Sequence, residues 1–193
     1  MPVTAIDPAG FEAKFRADID PWDYRASRLE RVKRRDLLLA CGHRPYGRVL
    51  ELACAIGVTS RALAPISLRL LALDSSPTAI REAQKGGKDL KNVTFRLATL
   101  PAEMPAGPFD LIVVSELAYY LPPAELARLA KMLGGRLSRG GRVVVLHHLR
   151  PFRDAAIHPA LAHGRLVRLL ARALVPDWRR QTARYRVDGL VKP

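Results

Sequence analysis

The sequence predicts an α/β fold, a doubly wound and mostly parallel sheet with helices on both faces. Three observations carry that expectation. After Gly42, short apolar runs alternate with amphipathic stretches of helical period. The runs RVLELAC, RLLALD, FDLIVVSE and RVVVLHH are nearly continuous in Val, Leu and Ile, as strands buried on both faces are. The stretches between them carry helix punctuation: SSPTAIREAQKGG opens on serines and a proline and closes on glycines.

Taken in order, residues 1–10 read as a loose arm and FEAKFRAD as a short amphipathic helix. In DIDPWDYRASRLERVKRRDLLLACG, Asp20 is a cap candidate, Pro21 marks a helix start and Gly42 its end. Leu29, Val32 and Leu37 to Leu39 form its apolar stripe, and Lys33, Arg34 and Arg35 are expected to face solvent. RVLELAC is the first strand, followed by Gly57 and the helix VTSRALAPI. RLLALD is the second strand, and the helix after it is capped by Ser75 or Ser76. NVTFRLA and FDLIVVSE are the third and fourth strands; PPAELARLAKMLGGRLSRGG is a helix with a glycine stop. RVVVLHH, the helix HPALAHGRLVRLLARALVP and two short strands, WRRQTARY and RVDGLVKP, complete a seven-stranded sheet with an antiparallel last strand. A single domain is expected over 1–193, with residues 1–42 as a helical cap and 43–193 as the core.

Composition excludes several classes. Half the residues are hydrophobic, which argues against disorder, and no apolar run approaches the roughly 18 residues of a membrane span. MPVTAIDPAGFEAKF lacks the basic start and apolar core of a secretory signal, so a cytoplasmic location is expected. Cys41 and Cys54 make no disulfide framework, and the spacing of the histidines fits no zinc site, so no metal is expected. The net charge of +14 is uneven: residues 147–193 hold ten basic and three acidic residues. Those charges are scattered, with few aromatics between them, which reads as a solvated surface more than a nucleic-acid face.

Ligands of such sheets bind beyond the carboxyl ends of the strands. Glu51 stands near the end of the first strand, Gly57 opens the following helix, and Asp74 ends the second strand. A carboxylate at that place accepts two hydrogen bonds from vicinal ribose hydroxyls, which suits a dinucleotide or an S-adenosyl cofactor. The dinucleotide loop G-x-G-x-x-G is absent, the corresponding residues being A-C-A-I-G-V, and no phosphate-binding GKS or GKT occurs.

VLELACAIG resembles the first motif of class I S-adenosylmethionine-dependent methyltransferases, with Ala53 and Ala55 where glycine is usual. LALD, FDLIVVSELAYYL and LSRGGRVVV resemble their later strand motifs. DPWDYRASRLERVKR together with SELAYYL is similar to the nodulation protein S type of N-methyltransferase. The resemblance runs from about residue 11 to residue 193. It implies a Rossmann-like fold, S-adenosylmethionine as cofactor, S-adenosylhomocysteine as product, and a primary amine of a small molecule, such as an amino sugar or oligosaccharide, as acceptor. On that resemblance the backbone of 53–57 faces the methionyl part, Asp74 holds the ribose, and Ser75 and Thr99 lie near the adenine, with Glu51 and Ser115 on the same side. If Ala53 needs a positive φ, its methyl costs about 1 kcal/mol.

Glu116, after the fourth strand, is expected to accept a proton from the amine or to orient it, and Tyr119 or Tyr120 to present a ring face to the sulfonium. Trp22, Tyr24 and Arg25 are candidates for covering the cofactor, Arg25 through its carboxylate. Trp22 is alternatively a hydrophobic staple. His147, His158 and Asp154 are expected on the substrate side. An O-methyltransferase on a small metabolite, and a non-catalytic module binding nucleic acid through the basic C-terminal quarter, remain open as rival readings.

Overall fold

The computed structural model describes residues 6–193; part of the expected N-terminal arm therefore lies outside the described residues. The elements are α1 (Pro8–Ala17), α2 (Arg28–Cys41), β1 (Tyr46–Leu52), α3 (Val58–Leu63), β2 (Ser67–Asp74), α4 (Pro77–Gly86), β3 (Val93–Leu97), β4 (Phe109–Ser115), α5 (Pro123–Arg136), β5 (Leu137–His148), α6 (Pro159–Leu170), β6 (Val175–Gln181) and β7 (Tyr185–Val191). The seven strands lie in the order β3-β2-β1-β4-β5-β7-β6. β1 to β5 pair in parallel, and β7 enters antiparallel between β5 and β6, so the expected fold class holds. The order reverses at β1, which places the crevice between β1 and β4.

The two faces follow from the period-2 alternation of the strands. Leu50 and Leu52, Ile112 and Val114, and Val143 and Val145 point to one face, where Leu126, Leu129 and Leu133 of α5 and Leu166 and Leu170 of α6 cover them. Val49, Leu111, Val113, Val144 and Leu146 point to the other, under Leu37 and Ala40 of α2 and Leu63 of α3. Because α2 packs directly on the sheet, residues 28–41 belong to the core layer. The part lining the cavity over the strand ends is α1 with the turn 18–27.

Three local expectations are corrected. α2 starts at Arg28 with Ser27 as its cap, its Oγ accepting from Glu30 N, while Asp20 instead accepts from the backbone N–H groups of Tyr24 and Arg25 in the preceding turn. α5 passes through Gly134 and Gly135 but ends at Arg136, and LSRGG, expected as the end of the helix, instead opens β5 at Leu137. Glycine inside a helix costs only about 1 kcal/mol, which the leucine face of α5 outweighs. Lys33, expected in solvent, is 4% exposed. The expected cap at Ser75 or Ser76 is resolved in favour of Ser76, whose Oγ accepts from Ala79 N.

Candidate functional site

The backbone carries the first part of the site. Cys54 N donates to Leu73 O, which ties the loop after β1 to the end of β2. Ala53, Ala55 and Gly57 take φ of 57°, 48° and 79°, so both alanines occupy the left-handed region that glycine fills at no steric cost. Gly57 cannot carry a side chain cheaply, since a Cβ there would meet Phe95 and Ala83 at 3.1 Å. Ala55 N donates to Asp74 Oδ2 at 2.8 Å, and Ser76 N to Oδ1 at 2.9 Å. Asp74 thus fixes the loop while its carboxylate still reaches a cavity of about 420 Å³. Burial raises its pKa, opposed by those backbone N–H groups.

The cavity lies over the carboxyl ends of β1, β2 and β4. Ala53, Ala55, Asp74 and Ser75 line its floor, Ala98 to Ala102 one side, and Glu116, Leu117 and Tyr120 the other. α1 and the following turn roof it with Phe11, Phe15, Trp22 and Tyr24. The roof is an aromatic stack: Trp22 lies 5.5 Å from Phe15 and 5.8 Å from Tyr24, and Phe11 meets Tyr120 edge-on at 4.7 Å. Trp22 therefore both packs the turn and lines the cavity. Glu12 anchors the roof to the start of α4, accepting from Ser76 Oγ at 2.7 Å, Thr78 Oγ1 at 2.7 Å and Thr78 N at 3.0 Å. Desolvation works to raise Glu12, but these donors prevail and hold it at about 2.

Glu116 lies at φ 54°, a conformation that side chains rarely adopt and that concentrates at functional sites. Its Oε2 accepts from Tyr119 Oη at 2.6 Å and His148 N at 2.9 Å. Against Oε1 lies the ammonium of Lys33, an ion pair without an aligned hydrogen bond, and Lys33 Nζ also donates to Glu30 at 2.7 Å. Burial pushes the Glu116 carboxyl up, but Lys33, with His147 and the His148 N–H, outweighs it and leaves the group at about 2. A carboxylate so acidic is a weak proton acceptor at neutral pH. Tyr119 turns its hydroxyl to Glu116 and is not part of the cavity wall; Tyr120 is.

Seven other expected residues sit elsewhere. Arg25 pairs with Glu82 at 2.6 Å on the surface, away from the cavity lining. Glu51 is 1% exposed and accepts from Ser60 Oγ at 2.5 Å, and burial lifts its pKa to about 8. Gly57 and Ser115 stay out of the wall as well. His147 is fully buried: its Nε2 accepts from Ala118 N at 2.9 Å, and its Nδ1 faces His163 Nδ1 at 3.0 Å. His163 Nε2 continues to Asp188 at 2.8 Å. This chain is consistent with two neutral rings, His163 protonated on Nε2 and His147 on Nδ1, and it positions the turn carrying Tyr119 and Tyr120. His158 is an exposed residue at the start of α6, and Asp154 pairs with Lys14 of α1 at 3.1 Å. Thr99 does line the cavity, its N–H donating to Glu103 Oε2 at 2.6 Å. Among the described residues no group of three or more potential ligands is placed to hold a metal ion.

Three of the ten C-terminal basic residues reach buried acids. Arg179 and Arg186 pair with buried Asp188, and Arg180 with buried Asp36. No helix among the described residues is long and apolar enough to cross a membrane.

The comparisons with known proteins agree with this architecture. The family model of Nodulation protein S (NodS) matches residues 11–135. Nodulation protein S of Sinorhizobium fredii is 32% identical over 112 residues, 58% of this chain and 52% of that protein. Phosphoethanolamine N-methyltransferase 1 of Arabidopsis thaliana is 30% identical over 139 residues, 70% of this chain and 27% of that protein. The chain thus spans about half the length of the curated nodulation protein S relative from S. fredii. The crystal structure of the N-methyltransferase NodS from Bradyrhizobium japonicum WM9 in complex with S-adenosyl-L-homocysteine superposes with a TM-score of 0.84 at 25% identity, covering 97% of this chain and 100% of that one.

Proposed function

Because the chain belongs to the nodulation protein S family, we propose that it is an S-adenosylmethionine-dependent methyltransferase acting on the nitrogen of a primary amine in a small molecule, of the amino-sugar or oligosaccharide class. The observation that carries the reading is Asp74: a buried carboxylate at the end of β2 that still reaches the cavity beside the left-handed loop 53–57. Its four lone-pair sites accommodate two ribose hydroxyls in addition to Ala55 N and Ser76 N. Ser75, Ala98 and Thr99 form the adenine side, and the backbone of 53–57 faces the methionyl part. When bound, the cofactor supplies a sulfonium methyl group, and transfer leaves S-adenosylhomocysteine. Trp22, Tyr24 and Tyr120 exclude water and offer ring faces to a cation. Glu116 and Tyr120 line the side where the acceptor enters.

Transfer to a neutral nitrogen depends on alignment and desolvation more than on a strong base. The half-open, mostly aromatic and aliphatic cavity favours a small-molecule acceptor over a nucleic-acid surface. The protein is incubated with S-adenosylmethionine and a panel of glucosamine oligomers and simple primary amines, and mass spectrometry follows the gain of one methyl group. Turnover of amines is expected. Turnover of hydroxyl or carboxylate acceptors with amines inert would replace the nitrogen reading by the oxygen one.

A further inference from the structure

Lys33 sits in the interior of α2 within the basic run KRR, yet its side chain is 5% exposed. It reaches from α2 to the end of β4 and lies between two carboxylates, Glu30 on its own helix and Glu116 in the cavity wall. A buried ammonium is costly unless its charge is matched, and one matched by two acids spends both on a single cation. Both acids are largely buried, and of the two only Glu116 lines the cavity, so the Lys33 charge is held against the acid that the cavity presents. Tyr119 Oη and His148 N fix the other oxygen of Glu116.

Resting on the methyltransferase reading, we propose that Lys33 is a positioning residue for the acceptor: its ammonium holds Glu116 as a permanent, immobile anion, so that the acceptor amine is aligned by this charge and yields its proton to water, not to the protein. One proton leaves R–NH3⁺ for solvent, leaving R–NH2 with its lone pair free, and no protein group changes charge. The groups facing Glu116 agree with a fixed charge. Lys33 and Glu30 come from α2, His147 and His148 from β5, and Tyr119 and Tyr120 from the turn after β4. Tyr24 comes from the roof, and His163 from α6. Of these, Lys33 supplies the full cation next to the carboxylate; His147 is held neutral by burial.

The test is a carboxyl-carbon NMR titration of Glu116 in the full chain, assigned with Glu116→Gln, for wild type, Lys33→Met and Lys33→Arg. It needs neither cofactor nor turnover. Wild-type Glu116 is expected to stay ionised to the acid limit of folding. In Lys33→Met its midpoint moves up by about 1–3 pH units, and Lys33→Arg restores the wild-type behaviour. At pH 7 Glu116 stays ionised in Lys33→Met, so the binding arm reads the lost placement of the carboxylate: with S-adenosylhomocysteine present, glucosamine-oligomer binding is expected to weaken about tenfold or more by calorimetry while cofactor binding is kept. A wild-type midpoint above about pH 5, or amine binding unchanged in a folded Lys33→Met, overturns the proposal. Absence of cofactor binding in the wild type would instead sink the methyltransferase reading and leave the titration result standing.

Discussion

Replacing Ala53 by glycine is expected to stabilise the protein, whereas the same change at Ala55 is not. Both alanines hold a positive φ, 57° and 48°. For a residue with a Cβ, that region costs about 1–2 kcal/mol, which glycine removes. Against this, glycine loosens the unfolded chain at a cost of about 0.4–1 kcal/mol. The backbone balance therefore favours glycine by about 0.7 kcal/mol at each position. The side chains then separate the two. Ala53 is half-buried at the cavity wall, and its methyl joins none of the core clusters. Ala55 packs with Phe15, Ile56 and Ala79, and losing its methyl forfeits about 0.8 kcal/mol of burial. For a domain of this size, Ala53→Gly should raise Tm by about 2 °C and Ala55→Gly should leave it level or lower it. Thermal unfolding of the ligand-free protein is the assay, followed by circular dichroism. A fall in Tm for Ala53→Gly equal to or larger than that for Ala55→Gly would show that the loop does not carry the strain its dihedrals describe.

Other consequences follow from the buried ionisable groups. Glu51, raised to about 8 by burial, holds a proton in the fold that the unfolded chain releases above about 4.5, so its contribution falls as pH rises between those values. Glu51→Gln should therefore gain stability relative to wild type from pH 5 to pH 8 in urea titrations, and a constant difference would contradict the shift. The His147–His163 pair runs the other way: burial and the neighbouring ring lower His147 to about 3, while unfolded histidine takes a proton below about 6.5. That contribution is complete above about 6.5 and is lost progressively toward 3; in His147→Gln the loss of stability between pH 7 and pH 5 should shrink, and an unchanged pH slope would show that the ring is not held neutral. Asp188→Asn leaves Arg186 and Arg179 without their buried counter-ion and interrupts the chain to Ala118. Because Arg179 is more than half exposed, most of the loss comes from Arg186 and His163, on the order of 3 kcal/mol by denaturant unfolding. A loss under about 1 kcal/mol would mean that water already screens the cluster.

The strands and the cofactor corner were legible because their signals are local. Continuous Val/Leu/Ile runs mark buried parallel strands, and Asp74 is found by its place at a strand end. Trp22, Tyr24, Thr99 and Tyr120 were found as well, and all line the cavity. What escaped depends on partners far along the chain. In the sequence, Lys33 is one of three consecutive basic residues, and its burial is made tolerable by Glu30 together with Glu116, which arrives from the end of β4 far along the chain. Asp36 is buried because Tyr185 and Arg180 come from β6 and β7 to meet it. Glu12 carries no sign that it secures α1 to Ser76 and Thr78. His147 is expected on the substrate side from its place at a strand end, and His158 from the family resemblance of DAAIHPAL. Strand alternation turned His147 inward, where His163 of α6 and the N–H of Ala118 satisfy it. The end of α5 escaped for a related reason: LSRGG opens β5 because Leu137 pairs with Phe109 of β4, a partner far along the chain.

The account depends most on Asp74 as the residue that holds the ribose. The direct measurement is calorimetric titration of S-adenosylhomocysteine into wild type and Asp74→Ala, with thermal unfolding to confirm that the variant folds. Saturable one-to-one binding to wild type is expected. Loss of two charge-assisted hydrogen bonds, each about 1.5–3 kcal/mol, should weaken it by more than tenfold in Asp74→Ala. No binding to the wild type, or equal binding to both, would contradict the assignment of this cavity to the cofactor.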